Sequence, residues 1–297
     1  MSVKDPTCWV IIPVHNRCSV TRACLLNLEA TDNLGKARVC VVDDGSTDGT
    51  GEIISRCFPA VRVERGDGSL YWGGAIARGM EVAMREGAEV MVWLNDDCLP
   101  DEGAIEAIVE RVRQTGGMCG SVCLDPTRAE VTYSGYNRAG LGKEVLAPEK
   151  GEVMEADLLS GNLVAVHRRV VEGIGVLDPS EFQHYFADAW YSWKAKLAGF
   201  TVELAGSATA VNETSNYFDT VGITRSAIDG WKDLFRKGRP ICIAAHWRFR
   251  RRVWGFVGAL PALRFIPVMV KYTFIAVRRG GIEAVLRRPH PAKGPTG

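Results

Sequence analysis

The sequence predicts an α/β protein: a mostly parallel central sheet with helices on both faces, plus a basic helical C-terminal appendage. Three observations point there. Through the first half of the chain, short β-rich apolar runs without polar alternation are separated by segments of helical spacing, the pattern of strands buried on both faces. The composition, 46% apolar and 24% charged over 297 residues, is that of a folded globular chain and sets aside disordered and collagen-like classes. The charge is divided: residues 236–297 hold 14 Lys or Arg and one acid, Glu283, leaving 22 basic and 34 acidic residues in the first 235. An acidic body with a basic tail disfavours a uniformly basic nucleic-acid binder.

The elements follow in order. Residues 9–14 form the first expected strand and 17–30 the first helix. Residues 38–42 form the second strand, ended by Asp43-Asp44-Gly45, and 47–57 a helix with Ser46 or Thr47 as its cap. A strand at 61–64 precedes a helix at 73–86 that is opened by two glycines. The strand at 89–94 ends in Asn95-Asp96-Asp97, followed by a helix at 100–114 and a strand at 118–124. Residues 130–155 read as a hairpin or loop insertion, and 158–166 as a strand with Gly161 and Asn162 inside it. Residues 188–199 make a helix with an Asp start and a Gly stop, and 200–204 a strand. The abrupt change in charge places a boundary near 232–240, giving a body at 1–235 and a basic tail at 236–297.

The nine cysteines are odd in number and contain no CxxC pair, so they read as reduced thiols in a core, not as a zinc site or disulfide framework. The N-terminal apolar run is short and ends in a proline, unlike a signal peptide, and the sequon Asn212-Glu213-Thr214 is then read as incidental.

Both acidic clusters directly follow strands. Ligands of open α/β sheets bind beyond the carboxyl ends of the strands, so Asp43–Asp44 and Asp96–Asp97 are expected on one rim. Carboxylates there can accept hydrogen bonds from a ribose or base, or hold a divalent cation that bridges a diphosphate. Taken singly, the first is also an ordinary Asp-Gly turn and the second a helix-capping loop. The motifs GxxxxGK[ST], GxGxxG after the first strand, HExxH and GxSxG are absent, which argues against P-loop NTPases, dinucleotide sites, zincins and α/β-hydrolases. Trp72 followed by Gly73-Gly74 reads as an aromatic wall with close backbone approach to a ligand, or as a tight turn into a helix.

At this point the residues resemble a family. Trp9-Val-Ile-Ile-Pro-Val-His-Asn-Arg17, Val41-Val-Asp-Asp-Gly-Ser-Thr-Asp48 and Trp93-Leu-Asn-Asp-Asp97, in that order and spacing, resemble the family 2 glycosyltransferases of the GT-A fold. Ser160-Gly161-Asn162 and residues 185–199 are similar to that family's acceptor-side strand and its "ED" helix. The resemblance covers about residues 8–216, and 68–79 is similar to bacterial members that build rhamnose- or galactofuranose-containing polysaccharides.

The resemblance implies an inverting transfer of a sugar from a UDP- or dTDP-sugar to a hydroxyl of a glycan or polyprenyl-linked acceptor. It puts Pro13, His15 and Arg17 at the base and diphosphate entrance, Asp43 and Asp44 on the base and ribose, and Trp72, Gly74 and Arg78 beside the donor. Asp96 would approach the ribose or sugar and Asp97 would bind Mg²⁺ or Mn²⁺. Gly161, Asn162 and Trp190 would lie on the acceptor side, with Asp188 the catalytic base and His184 a lesser rival. Three departures stand out: Ala187 where the family usually has an acid, Asn95 at the head of the Asp-rich loop, and Val211-Asn212 where some relatives carry a metal-side His. Asp188 also fits an N-cap worth ~1 kcal/mol, and the aromatics Tyr185, Phe186, Trp190 and Trp193 around it would raise its pKa or stack on sugar. A nucleotidyltransferase would be expected to show a Gly-rich loop with a Lys near the first strand, which His15-Asn16-Arg17 is not; a non-catalytic sugar- or lipid-binding module is the other rival.

In the tail, a basic cluster at 248–252 precedes an apolar stretch at 253–277 that Pro261 and Pro267 interrupt and Arg264 and Lys271 charge. Its longest uncharged run, 253–263, is shorter than the ~20 residues of a spanning helix. The reading is helices lying on an anionic membrane through 248–279, at the inner face of the cell membrane; packing on the body or a homodimer contact are the alternatives.

Overall fold

Alternation along the first strand sets the layers. In β1 (Cys8–Val14), Val10, Ile12 and Val14 face one side and join a core with Cys24, Leu25 and Leu28 of α1 (Cys18–Ala30). Ile11 faces the other side, against Gly79; a Cβ there would collide with the Ile11 side chain, so only glycine lets that helix lie so close. Fully burying such a Val, Leu or Ile side chain is worth ~1.5–3 kcal/mol, so both faces of the strand anchor helices.

The computed structural model describes residues 5–212, 231–235 and 242–286. The chain divides into two units, 1–213 and 214–297, ahead of the change in charge. The expected boundary segment at 232–240 and Thr214 of the sequon lie partly or wholly outside the described residues, as do 1–4 and 287–297.

The first unit continues with α2 (Asn33–Lys36), β2 (Arg38–Asp43), α3 (Thr50–Cys57), β3 (Arg62–Arg65), α4 (Tyr71–Arg85), β4 (Val90–Leu94), β5 (Cys98–Pro100), α5 (Ala104–Thr115) and β6 (Met118–Leu124). Then come β7 (Val131–Tyr133), β8 (Gly135–Ala139), β9 (Gly142–Val145), β10 (Val153–Glu155), β11 (Leu158–Leu159), β12 (Leu163–His167), α6 (Arg168–Ile174), α7 (Ala187–Leu197) and β13 (Val202–Asn212). The main sheet runs β10-β13-β6-β12-β4-β1-β2-β3, and β8, β9 and β11 form a second small sheet. Strands β1, β2, β3 and β4 are parallel, as expected, and β13 is parallel to β6.

Direction is where the sequence reading needs correction. β12 runs antiparallel to both β4 and β6, so Leu163, at its start, pairs with Leu94, at the end of β4. Residues 158–166 are not one strand: the turn at Gly161-Asn162 splits them into β11 and β12, which belong to different sheets. The turn therefore reaches the rim where β1, β2 and β4 end.

Other boundaries shift for local reasons. The helix expected from 47 begins at Thr50, because Asp48 accepts from Thr50 N–H, while Ser46 and Thr47 are engaged with Asn16. The helix expected from 100 begins at Ala104, because 98–100 pair with the end of β13. Phe186, in the left-handed region at φ 72°, precedes α7, so Asp188 lies inside the first turn and is not its cap. β13 runs on to Asn212, far past 204, with a register shift between Leu204 and Thr209.

In the second unit, α8 (Ile243–Ala259) kinks at Gly255 (φ 75°) and passes through a 3₁₀ turn (Leu260–Arg264) into α9 (Phe265–Leu286). Leu234, Phe265 and Met269 form a small core with Trp231 and Ile243, and Trp231 Nε1 donates to Thr273 Oγ1 at 2.9 Å. The 29 residues Ile243–Lys271 are, by length and composition, long and apolar enough to cross a membrane. The count of uncharged runs missed this because helical backbone continues through Arg264, the only charge between 253 and 270.

Candidate active site

The β1–α1 link crosses the rim as His15-Asn16-Arg17. Asn16 takes a left-handed conformation (φ 52°); its N–H donates to Ser46 Oγ at 2.9 Å, and its Oδ1 accepts from Thr47 N at 2.8 Å. The loops after β1 and β2 are thereby tied together. His15 Nδ1 lies 2.6 Å from the Asp44 carbonyl, which can only accept, so Nδ1 carries the proton and Nε2 accepts from Asn16 Nδ2 at 3.0 Å. Pro13 sits one residue before the end of β1, paired with Val42.

Asp43 and Asp44 are both buried. Asp43 Oδ1 accepts from Ser46 N at 2.9 Å. Asp44 Oδ1 accepts from Gly68 N (2.9 Å) and Leu70 N (3.2 Å), and Oδ2 from Tyr71 N (2.9 Å). Asp44 thus organises the loop that enters α4. Gly45 (φ 70°) passes so near Gly68 that a Cβ would sit 2.9 Å from its nitrogen.

The loop after β4 is held differently. Arg17 spans two carboxylates, with Nη1 3.0 Å from Asp96 Oδ1 and Nη2 2.9 Å from Asp97 Oδ2. Asp96 is 3% exposed and also accepts from Thr21 Oγ1 at 3.0 Å. Burial pushes its pKa up to about 6, against the pull of Arg17. Asn212, at the end of β13, donates from Nδ2 to the Asp97 carbonyl (2.9 Å) and to Asp97 Oδ1 (3.1 Å). Asn212 is 2% exposed, and its Oδ1 has no hydrogen-bond partner among the described residues.

A continuous set of contacts leads from there to Asp188. Asn95 N donates to the Asn162 carbonyl (2.9 Å) and Asn95 Oδ1 accepts from Trp72 Nε1 (2.7 Å). Trp72 packs edge-on against buried Trp93, with ring centroids 5.8 Å apart. A Cβ on Gly161 would lie 2.6 Å from the Trp72 ring and 2.9 Å from Asp188 Cβ, so the turn fits only as glycine. Gly161 N donates to Asp188 Oδ2 at 2.7 Å, and Ser192 on α7 accepts from Leu159 N at 2.9 Å, fixing the helix to β11. Asp188 is half-buried by surface yet closely surrounded, and desolvation raises its pKa, opposed by the Gly161 N–H, amides at the start of α7 and Lys143.

The structure thus joins Arg17, Asp43, Asp44, Trp72, Asp96, Asp97, Gly161, Asn162 and Asp188 in one contact network with His15. Four residues expected on the ligand side make other contacts. Gly73 and Gly74 make their close approach to the chain itself: a Cβ on Gly73 would be 2.8 Å from the Phe182 carbonyl, and one on Gly74 would meet Leu70 and Pro179. Arg78 lies 3.7 Å from Glu64 and, with Gly74, lines a cavity of about 540 Å³ toward Asp178 and Pro179. Trp190 donates from Nε1 to Glu181 Oε2 at 2.8 Å and packs on Phe182, so it faces that segment and not the Gly161 turn. Its neighbour Trp193 is core.

Lys143 was not singled out in the sequence, and Asn212 only as standing, with Val211, where some relatives carry a metal-side His. Lys143 sits on β9 with its Nζ 3.6 Å above the Tyr136 ring. The signal for Asn212 was a polar residue closing an apolar run; the Ala-Gly-Ser interruption at 205–207 hid the continuity of the strand.

The donor set suits a hard divalent cation. Asp97 and the orphaned Asn212 Oδ1 offer oxygen donors, and Mg²⁺-type sites use one or two carboxylates and take the rest from substrate phosphates and water. Among the described residues no group of three His, Cys, Asp or Glu side chains is placed to hold a metal ion by itself.

Residues 9–139 match the family model "Glycosyl transferase family 2". No curated protein matches the chain in sequence. Among solved structures, GalNAc-T7 with UDP, GalNAc and Mn²⁺ aligns at TM-score 0.57 and 15% identity over 94% of this chain, which spans 57% of that one. S. aureus TarS 1-349 aligns at 0.51 and 12% identity, covering 86% of this chain and 72% of that one. The mannosyltransferase PcManGT from Pyrobaculum calidifontis, in complex with GDP-Man and Mn²⁺, aligns at 0.53 and 16% identity, covering 96% and 86%. At such identities the likeness is one of fold, and it is the GT-A fold. The chain therefore has the GT-A fold, and its residues 9–139 are similar to the glycosyl transferase family 2 model.

Proposed function

We propose that the protein is an inverting glycosyltransferase that moves a sugar from a nucleoside-diphosphate sugar to a hydroxyl of a glycan or lipid-linked glycan. The observation that supports this is the contact path from Asp188 through Gly161, Trp72 and Asn95 to the loop of Asp96 and Asp97, which links a candidate base to a candidate diphosphate end. Asp188 takes the proton of the acceptor hydroxyl as its oxygen bonds to the anomeric carbon. The bond from that carbon to the diphosphate breaks on the opposite face, and inversion follows without a covalent enzyme intermediate. A positioned carboxylate base contributes ~10²–10⁴-fold, and the raised pKa brings Asp188 nearer to neutral working pH.

Asp97 and Asn212 would hold Mg²⁺ or Mn²⁺. Bound there, the cation supplies charge neutralisation to the leaving diphosphate. His15, Asn16 and the buried Asp43–Asp44 loop shape the nucleotide end, and the Gly161-Asn162 turn borders the acceptor. UDP with GalNAc-T7 and GDP-Man with the Pyrobaculum enzyme support a nucleoside-diphosphate donor. The 68–79 segment favours a UDP or dTDP donor of a deoxyhexose or galactofuranose, used in cell-surface polysaccharide synthesis.

The second unit supports attachment at the inner face of the cell membrane. Phe256, Leu260, Leu263, Val270 and Phe274 are exposed there, alongside Arg251, Arg264 and Lys271. Apolar side chains interspersed with cations fit an anionic bilayer surface. The full-length protein should then sediment with phosphatidylglycerol vesicles and not with phosphatidylcholine ones; equal recovery with both would contradict the electrostatic part.

The enzymatic reading is tested by incubation with UDP-, dTDP- and GDP-sugars. Release of nucleoside diphosphate without pyrophosphate supports it. Pyrophosphate release would indicate a nucleotidyltransferase, and binding without turnover a sugar-binding module.

A further inference from the structure

Arg17 is the only cation in ion-pair contact with Asp96 or Asp97 among the described residues, and it touches both. Its backbone is fixed at the N-terminal end of α1, where Cys18 N donates to Asp48 Oδ2 at 2.9 Å, while its side chain is 43% exposed. Asp96 is closed in by the protein and Asp97 is 36% exposed, so the guanidinium forms an outer cover over the pair. It occupies Asp97 Oδ2, a carboxylate oxygen that a divalent cation would also use. A planar guanidinium fork suits a carboxylate and a phosphate equally well, and exposed ion pairs of this kind are weak enough to exchange.

We propose that Arg17 is an exchangeable counter-ion. It neutralises Asp96 and Asp97 in the free protein, releases them when a divalent cation binds, and turns to the diphosphate oxygens. This rests on the metal-assisted reading above and adds an order of events to it. Metal alone competes with Arg17 and binds weakly. A nucleoside diphosphate draws the guanidinium away and so strengthens metal binding, and linkage requires the metal to strengthen nucleotide binding by the same factor. The arrangement keeps two adjacent carboxylates from standing unneutralised, one of them buried, between turnovers.

The test is Mn²⁺ binding, read from the electron paramagnetic resonance of free Mn²⁺. The samples are the full-length protein, Arg17→Gln and Arg17→Lys, each alone and with UDP or GDP. Arg17→Gln should bind Mn²⁺ alone about tenfold more tightly than the native protein. It should also lose most of the enhancement by nucleotide and bind UDP or GDP more weakly. Arg17→Lys keeps a charge but not the fork, and should fall between. Mn²⁺ affinity in Arg17→Gln equal to or below the native value without nucleotide, with an unchanged thermal melt, would overturn the exchange and leave the metal reading intact. If Arg17→Gln melts early, Arg17→Lys decides on the same criterion. Mn²⁺ bound by none of the three, with either nucleotide, would overturn the metal reading and the exchange together.

Discussion

Asp43–Asp44 at the end of β2 and Asp96–Asp97 at the end of β4 are the same dipeptide on the same rim, yet backbone amides hold the first pair and a guanidinium holds the second. The Asp44 carboxylate accepts from three N–H groups on the way into α4, whereas Asp97 meets two side chains, half-exposed Arg17 and buried Asn212. The difference teaches that a motif's residues do not share one job. One pair organises the backbone of its loop, and the other is held through the Arg17 side chain.

Substitutions can break that contrast. The largest stability effect should come from Asp44→Ala, which leaves three amides without their acceptor and should cost about 3 kcal/mol, read from urea unfolding. A loss below ~1 kcal/mol would mean the loop does not depend on it. Asp96→Asn should act in the opposite direction. Its folded pKa, about 6, lies above the ordinary 3.8, so the stability linked to its proton is present below pH ~4 and lost as pH rises through 6. The neutral Asn variant should therefore be more stable than the native protein at pH 8, by up to about 2 kcal/mol, with the gain fading toward pH 4. A pH-independent difference would contradict the burial argument. Asp97→Ala should move stability least, within ~0.5 kcal/mol, because its ion pair is solvent-screened. It should nevertheless abolish Mn²⁺ binding in the presence of UDP. If Asp97→Ala unfolds the protein as readily as Asp44→Ala, the two pairs are not different in kind.

The parts legible in the sequence were those that local pattern encodes. Unbroken apolar runs ending in Asp-Asp gave β2, β4 and their rim, and helical spacing gave α1, α4 and α5 to within a few residues. Strand direction was not legible. A strand buried on both faces reads the same either way, so nothing in Leu-Val-Ala-Val at 163–166 signals that β12 runs antiparallel to β4 and brings Asn162 beside Asn95. Nor were competing partners legible. Arg78 has Glu64 within reach on β3, and Trp190 has Glu181, contacts between elements distant in the chain or across a loop. The continuity of β13 out to Asn212 was hidden because Gly206, where a Cβ would collide with the Glu149 carbonyl, looks like the end of a strand. Gly206 instead lets the loop at 148–149 press against a strand that continues to the rim.

The central claim is that one carboxylate, Asp188, takes the acceptor's proton. It is tested most directly on Asp188→Asn, by calorimetry with UDP or GDP in the presence of Mn²⁺, alongside turnover with the donor sugar the screen selects. Asn can still accept from Gly161 N, so nucleotide affinity should stay within about twofold of the native value while turnover falls by ~10²–10⁴-fold. Turnover within about threefold of the native rate, with nucleotide binding intact, would contradict it.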